Sequence, residues 1–412
     1  MVSFGKALLA SALGVIAVTA AVPAQAQSGK NASSKEFVDA VNAAKPLING
    51  KCGEAMTYID KAAGLAKGNA EKSPVQGMKV YCLTVLKKHP ELIKAIQDHM
   101  TMGVDGATTM RYKKQLAASY AATRNMPKAI ELTKEVIAAG GGTSAEYAYV
   151  AKYDLDNKSY AEALDFANKA IAAATKEGKK PNSDHYNIVL GVYVNTKNDK
   201  GYYDTLEKIA PIFNDAIYWQ PFIDGVKKAP KFKTQEIQVD VYRATEAAGI
   251  KLTPAIAKDY GEQALNRGVA IESQKVLEPL VKAGVFGGAQ DTNAARNKSF
   301  YERAAAEAAA DKNGNLAKTE AAAAGKPTGI AYVLTGESYM AKGDYAKAVE
   351  MFQKGLAKGS MEPGETDLAK LKLGIAQLKS GKKDDARKTW ADVKADNGAG
   401  WLARVWTAIS KA

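Results

Sequence analysis

Two stretches near the C-terminal end share a spacing that few folds accommodate. In YVLTGESYMAKGDYAKAVEMFQKGLAKG, starting at Tyr332, the residues Gly336, Tyr339, Gly343, Tyr345, Ala348 and Phe352 form one pattern. Gly374, Gln377, Gly381, Ala386 and Trp390 repeat it, with Gly336 answering to Gly374, Ala348 to Ala386 and Phe352 to Trp390, each 38 residues on. Within each half the apolar residues recur at helical intervals, and Gly343-Asp344 punctuates them as a turn. Small residues at Gly336 and Ala348 let two antiparallel helices approach closely, while the aromatic residues fill the space around them. A hairpin of this kind buries its apolar face only against neighbours, so it implies an array.

Further copies precede these two. Ala117, Tyr120 and Ala129 in LAASYAATRNMPKAIELTKEVI fit the same template, and Ala163 lies 34 residues beyond Ala129. This is the tetratricopeptide pattern, helix–turn–helix in about 34 residues. The fold class is therefore all-α, a right-handed alpha solenoid of tetratricopeptide and tetratricopeptide-like hairpins. No sustained alternation of apolar and polar residues asks for a strand. Residues 185–224 read as a degenerate pair with an enlarged turn at NTKNDKG, and 238–284 as further pairs with Gly261, Ala264 and Gly268 as small contacts. Residues 300–324 are rich in alanine, which favours helix but buries little area, so a weakly packed and more mobile pair is expected there.

The chain opens MVSFGKALLASALGVIAVTAAVPAQAQ, with one early Lys6, an uncharged apolar run and then Ala24-Gln25-Ala26. That order predicts a secretory signal over 1–26; the run is short for a membrane span. The expected organisation continues with a flexible lead-in at 27–36 and a disulfide-stapled helical region at 37–104. Repeats at 105–286, a variable alanine-rich segment at 287–328, two repeats at 329–396 and a capping helix at 397–412 complete it. In that last helix Trp401, Leu402, Val405, Trp406 and Ile409 share one face, which serves the last repeat or, alternatively, a partner.

The formal charge is +13, and only eight of the 57 basic residues are arginine. Lysine gives a diffuse hydrated positive surface more readily than bidentate clamps, which argues against nucleic acid and leaves acidic proteins or anionic envelope polymer as partners. Cys52 and Cys82 are the only cysteines. Nothing near them supplies the further ligands of a zinc site, so in an oxidising compartment a disulfide across a helix hairpin is expected. Two free buried thiols are the alternative. The helices that it would join are read as Cys52 to about Leu65 and Gln76 to about Lys88, with KGNAEKSP as the loop between them.

Chemistry-bearing motifs are absent. The histidines are His89, His99 and His185; the first two flank one helix and read as capping or solvent-facing groups. There is no HExxH, GxSxG, P-loop or GxGxxG. DKNGNLAKTE lacks the glycine and glutamate positions of a calcium loop and reads as a turn. Glu302 and Glu307 read as a solvated face. No cofactor, metal or catalytic residue is expected. The aromatic residues say more: Tyr186, Tyr193, Tyr202, Tyr203, Tyr218 and Trp219 concentrate in one zone, as in a partner groove or in ordinary inter-helix packing.

With Tyr193, Leu206, Pro211, Tyr218 and Trp219, the stretch AAGIKLTPAIAKDYGEQALNRGVAIESQKVLEPLVKAG and the repeats at 329–393, the sequence resembles the secreted tetratricopeptide proteins of Gram-negative bacteria. Some of these accompany TonB-type energy-transduction systems. The resemblance implies a periplasmic, non-catalytic scaffold in an envelope assembly, possessing no integral span once the signal is removed. A lysine-rich module for anionic polymer or lipid headgroups, and an enzyme with an unfamiliar site, are the competing readings.

Overall fold

The computed structural model describes residues 33–412. The expected signal, and most of the expected lead-in, lie outside the described residues. The lead-in ends earlier than anticipated, because Ser34 caps a helix by accepting from the Phe37 amide at 3.2 Å and the chain is helical from Lys35. Among the described residues there is no strand, and no helix is long and apolar enough to cross a membrane.

The chain divides after Asn198 into two compact units. The boundary falls inside the segment that the sequence read as one run of repeats. Unit 1 contains α1 (Lys35–Ile48), α2 (Cys52–Leu65), α3 (Asn69–Val85), α4 (His89–Met100) and α5 (Gly106–Ala122), followed by α6 (Met126–Val136), α7 (Ser144–Asp156), α8 (Tyr160–Lys176) and α9 (Ser183–Asn195). Successive helices pack against each other as hairpins. The helix expected from Gln76 starts at Asn69 instead: the Glu71 carboxylate accepts from the Lys67 amide at 2.8 Å, and Pro74 is tolerated near the N-terminal end, where few intrahelical bonds are lost. Cys52 and Cys82 are buried free thiols, so the staple expected between them is not closed in this structure.

Unit 2 contains α10 (Asp199–Phe213), α11 (Ala216–Asp224), α12 (Thr234–Ala247), α13 (Pro254–Asn266), α14 (Ala270–Lys282), α15 (Ala294–Ala310) and α16 (Leu316–Ala324). It continues through α17 (Ile330–Lys342), α18 (Tyr345–Lys358), α19 (Pro363–Lys379), α20 (Lys383–Ala391) and α21 (Ala399–Ile409). The turn at 196–198 is compact, not enlarged, with Lys197 taking the left-handed conformation at φ 53°. In the alanine-rich segment Ala304, Ala308, Leu316 and Ala323 are buried, and Gly314 makes the turn at φ 104°.

Small residues set the inter-helix distance where the sequence pattern located them. A Cβ on Gly336 would stand 2.8 Å from the Phe352 ring, and one on Gly374 would stand 2.2 Å from Trp390 Nε1. Those approaches tie α17 to α18 and α19 to α20. The last helix does more than cap the final repeat. It packs on α19 and α20 and also on α10, α11 and α12, closing unit 2 on itself. Trp401 meets Tyr203 edge-on at 4.7 Å and donates from Nε1 to the Phe222 carbonyl at 2.8 Å; Arg404 binds Glu207 at 2.5 Å and Asp204 at 2.9 Å.

Candidate functional site

A cleft of about 1170 Å³ lies in unit 2. One wall is the α17 face bearing Ile330, Val333 and Leu334; the opposite walls come from the start of α19 and the segments 230–233 and 394–397. A second cavity of about 440 Å³ adjoins it, since Arg267 and Leu334 line both. Leu334 is 40% exposed. The 394–397 wall is held by one buried carboxylate: Asp367 Oδ2 accepts from the Lys394 amide at 2.8 Å and from the Ala395 amide at 2.6 Å. The Lys231 amide donates to the Asp396 carbonyl at 3.0 Å, joining the two rims.

The cleft floor is ionic. Glu337, wholly buried on α17, accepts from Lys372 Nζ at 2.6 Å and Arg267 at 3.3 Å through Oε1, and from Arg243 Nη1 at 2.9 Å through Oε2. Arg243 also donates to Asp240 Oδ1 at 2.8 Å and makes a bidentate pair with Glu272 at 2.8 and 2.5 Å. Tyr260 donates to Glu272 Oε1 at 2.5 Å. Three carboxylates thus face three cations contributed by α12, α13, α14, α17 and α19. Burial pushes the Glu337 carboxyl up, but Lys372, Arg243 and Arg267 outweigh it and hold the pKa well below the usual carboxylate range. Burial likewise works against the Arg243 charge, and Glu272 and Glu337 overcome it. The Tyr260 phenol is driven up by burial and then by Glu272. Each charge has a partner of opposite sign, which suits a rigid floor better than proton transfer.

The aromatic set expected as a groove lies elsewhere and divides between the units. In unit 1, Tyr186 is buried on α9 and Tyr193 is half-buried against the cluster of Ala151, Ala167, Ile188 and Val189. In unit 2, Trp219 is 0% exposed and donates from Nε1 to Asn214 Oδ1 at 3.1 Å. Tyr218 is buried with its ring 5.5 Å from Phe213. Tyr202 stacks 5.2 Å from Tyr203, which meets Trp401. None of them lines the cleft. In unit 2 Tyr203 belongs to the seam that receives α21, an outcome hidden from sequence because its partner Trp401 is some 200 residues away.

His99 also departs from expectation. His99 is buried, its Nε2 2.9 Å from Ser73 Oγ and its Nδ1 2.7 Å from the Tyr112 hydroxyl. His89 lies 3.3 Å from Ser119 Oγ, and His185 is buried on α9. Among the described residues no group of three histidine, cysteine or acidic side chains is placed to hold a metal ion. Glu302 and Glu307 are exposed on α15, Glu307 pairing with Arg303 at 3.7 Å.

Sequence reasoning missed the residues that shape the cleft. One signal was available: Lys372 interrupts LAKLKLGIAQLK between Leu371 and Leu373, where the flanking positions are apolar on both sides. Its five buried or half-buried ionic neighbours come from four other helices, and no local pattern gathers them.

Two segments, 331–354 and 368–397, match the tetratricopeptide repeat family model. None of the curated proteins matches the chain. Among solved structures, the crystal structure of the APC/C hetero-tetramer Cut9-Hcn1 is similar at 10% identity and a TM-score of 0.24, over 82% of this chain and 67% of that one. The pentatricopeptide repeat protein PPR10 from maize is similar at 13% identity and a TM-score of 0.25, over 90% of this chain. The chain spans 60% of the length of the PPR10 chain. The two matched segments build most of α17 to α20 and two walls of the cleft.

Proposed function

We propose that this chain is a non-catalytic scaffold whose unit 2 receives an extended segment of a partner protein along the inner face of α17. The observation that carries this reading is the pair of adjoining cavities sharing Arg267 and the exposed Leu334. An apolar side chain of the partner packs on Leu334, and the partner's backbone meets a wall whose charges are already paired. Such a surface is ordered before binding, so the ordering cost falls on the partner alone.

The finer reading is a periplasmic envelope assembly, with a TonB-type complex as the partner system. The apolar run ahead of Ala24-Gln25-Ala26 supports export, and the resemblance to secreted tetratricopeptide proteins supports the assembly. A photo-crosslinking residue placed at Leu334, with Ile212 as an exposed control at 56%, tests the cleft in living cells. The expected result is one protein joined at Leu334 alone, retained at high salt. Equal crosslinking at both positions refutes the cleft. Capture of only anionic polymer that salt releases transfers the function to the lysine surface.

A further inference from the structure

Cys52 stands at the first position of α2 and Cys82 lies near the end of α3, in the core that also holds Ala44, Ile48, Ala55, Ile59 and Met78. Cys52 is 3% exposed and Cys82 0%. The Cys52 thiol donates to the Ile48 carbonyl at 3.3 Å. Burial, followed by the hydrogen bond and the charge of Cys52, pushes the Cys82 thiol well above its ordinary range. Both sulfurs lie in one buried cluster on the α2–α3 hairpin whose members are apolar, with no cation among them to stabilise a thiolate.

We infer that Cys52 and Cys82 are a dithiol–disulfide site sealed by the hairpin, whose redox state is decided during folding and then kept. Oxidation by a small disulfide such as oxidised glutathione proceeds in two displacements. One cysteine thiolate attacks the glutathione disulfide, releasing one glutathione thiolate and leaving a mixed disulfide. The second cysteine, losing its proton to solvent, attacks the protein sulfur and releases the second glutathione. The protein loses two hydrogens, and the oxidant is reduced to two thiols. Folded, the site obstructs both steps. The Cys82 thiol is held protonated, both sulfurs are out of reach, and the fully buried Ala44, Ala55 and Ile59 leave no room for the glutathionyl group. Exchange in the folded chain must await opening of the α2–α3 hairpin, whereas the unfolded chain presents both cysteines. This inference is independent of the cleft in unit 2.

The full chain is reduced in denaturant and divided. One portion refolds in a glutathione redox buffer; the other refolds with a phosphine reductant, which is removed before the same buffer is added. Alkylation and mass spectrometry read the outcome. The first portion is expected to join the peptides bearing Cys52 and Cys82, and the bond to resist dithiothreitol until the protein is denatured. The second is expected to oxidise at least about 100-fold more slowly, at the rate at which the hairpin opens. Oxidation of the folded protein as fast as that of the unfolded chain overturns the inference. Refolding that leaves two free thiols or glutathione adducts overturns it too. If refolding is inefficient, expression of the same chain in an oxidising and a reducing compartment gives the comparison directly: a 52–82 bond in the first and free thiols surviving later oxidant in the second, or the reverse of either.

Discussion

Replacing Lys372 by methionine keeps most of the side-chain volume and removes one of the three buried cations. Lys372 is 2% exposed; its ammonium donates to Glu337 at 2.6 Å and stands 3.7 Å from Asp240 Oδ2. Asp240 Oδ2 accepts no hydrogen bond and has only the ion pair with Lys372 to offset its burial, so the substitution removes that ion pair as well as the charge-assisted bond to Glu337. Breaking a buried pair from one side costs roughly 3–5 kcal/mol, because the surviving charge has no water to return to. With a urea dependence of about 2–3 kcal/mol per molar, the unfolding midpoint of unit 2 falls by about 1–2 M. All four tryptophans, Trp219, Trp390, Trp401 and Trp406, belong to unit 2, so fluorescence follows that unit alone while circular dichroism follows both. The pair Glu337→Gln with Lys372→Met closes the cycle. Each single change breaks the same interaction, so the double variant should be more stable than the sum predicts by at least about 1 kcal/mol. A single substitution costing under about 1 kcal/mol, or strict additivity, refutes the view that the cluster is one unit.

The three histidines lie in unit 1, and burial lowers the pKa of each. The unfolded chain takes up protons first as pH falls through the ordinary histidine value near 6.5, so stability present above that pH is lost on the way down to the folded values. The first dichroism transition should drop between pH 7 and 5.5 while the tryptophan transition holds; movement of the tryptophan transition alone would contradict the assignment. Gly374→Ala puts a Cβ within 2.2 Å of Trp390 Nε1, which donates to the Leu371 carbonyl at 3.0 Å, and is expected to destabilise unit 2 by about 1–3 kcal/mol in the same urea assay. Trp401→Ala removes the edge-on contact with Tyr203 and the bond to Phe222, for a loss of about 3 kcal/mol. Hydrogen exchange should quicken in α10 and α21 together, and exchange confined to α21 would show that the helix is only an end cap.

What could be read in advance depended on whether a residue's partner lay within its own repeat. Gly336 with Phe352, and Gly374 with Trp390, are contacts between consecutive helices, so their spacing carries them and the hairpins follow from it. The same holds for Trp406, which an apolar face of α21 marked as buried. Tyr203 and Trp219 looked like a groove because aromatic density was the only visible signal. Trp219 is instead buried and tied to Asn214, and Tyr203 packs against Trp401 of α21, whose return to α10 no periodicity encodes. The reading of His99 failed for a related reason. His99 sits at the end of α4, where a solvent-facing cap is the ordinary expectation, but Ser73 from α3 and Tyr112 from α5 converge on its two nitrogens.

The ionic floor explains why so open a cleft can persist between helices. Apolar side chains of the size of Arg243 and Lys372 would collapse onto one another and draw α12, α17 and α19 together, since nothing in hydrophobic contact sets a direction. Guanidinium and ammonium groups fixed by several carboxylates do set one: Arg243 spans Asp240, Glu272 and Glu337 in a single planar fork, so the three helices carrying those acids keep their spacing and rotation. The net gain in stability from such a cluster is small, because desolvating six charges offsets most of their attraction. Its consequence is geometric. The α17 face can leave Leu334 in water because the residues one turn below it, Glu337 and Ser338, are held from within by Lys372, Arg243 and the Gly268 carbonyl. On the proposed function, a partner segment would meet a wall already ordered, and little of the binding energy would go into rearranging it.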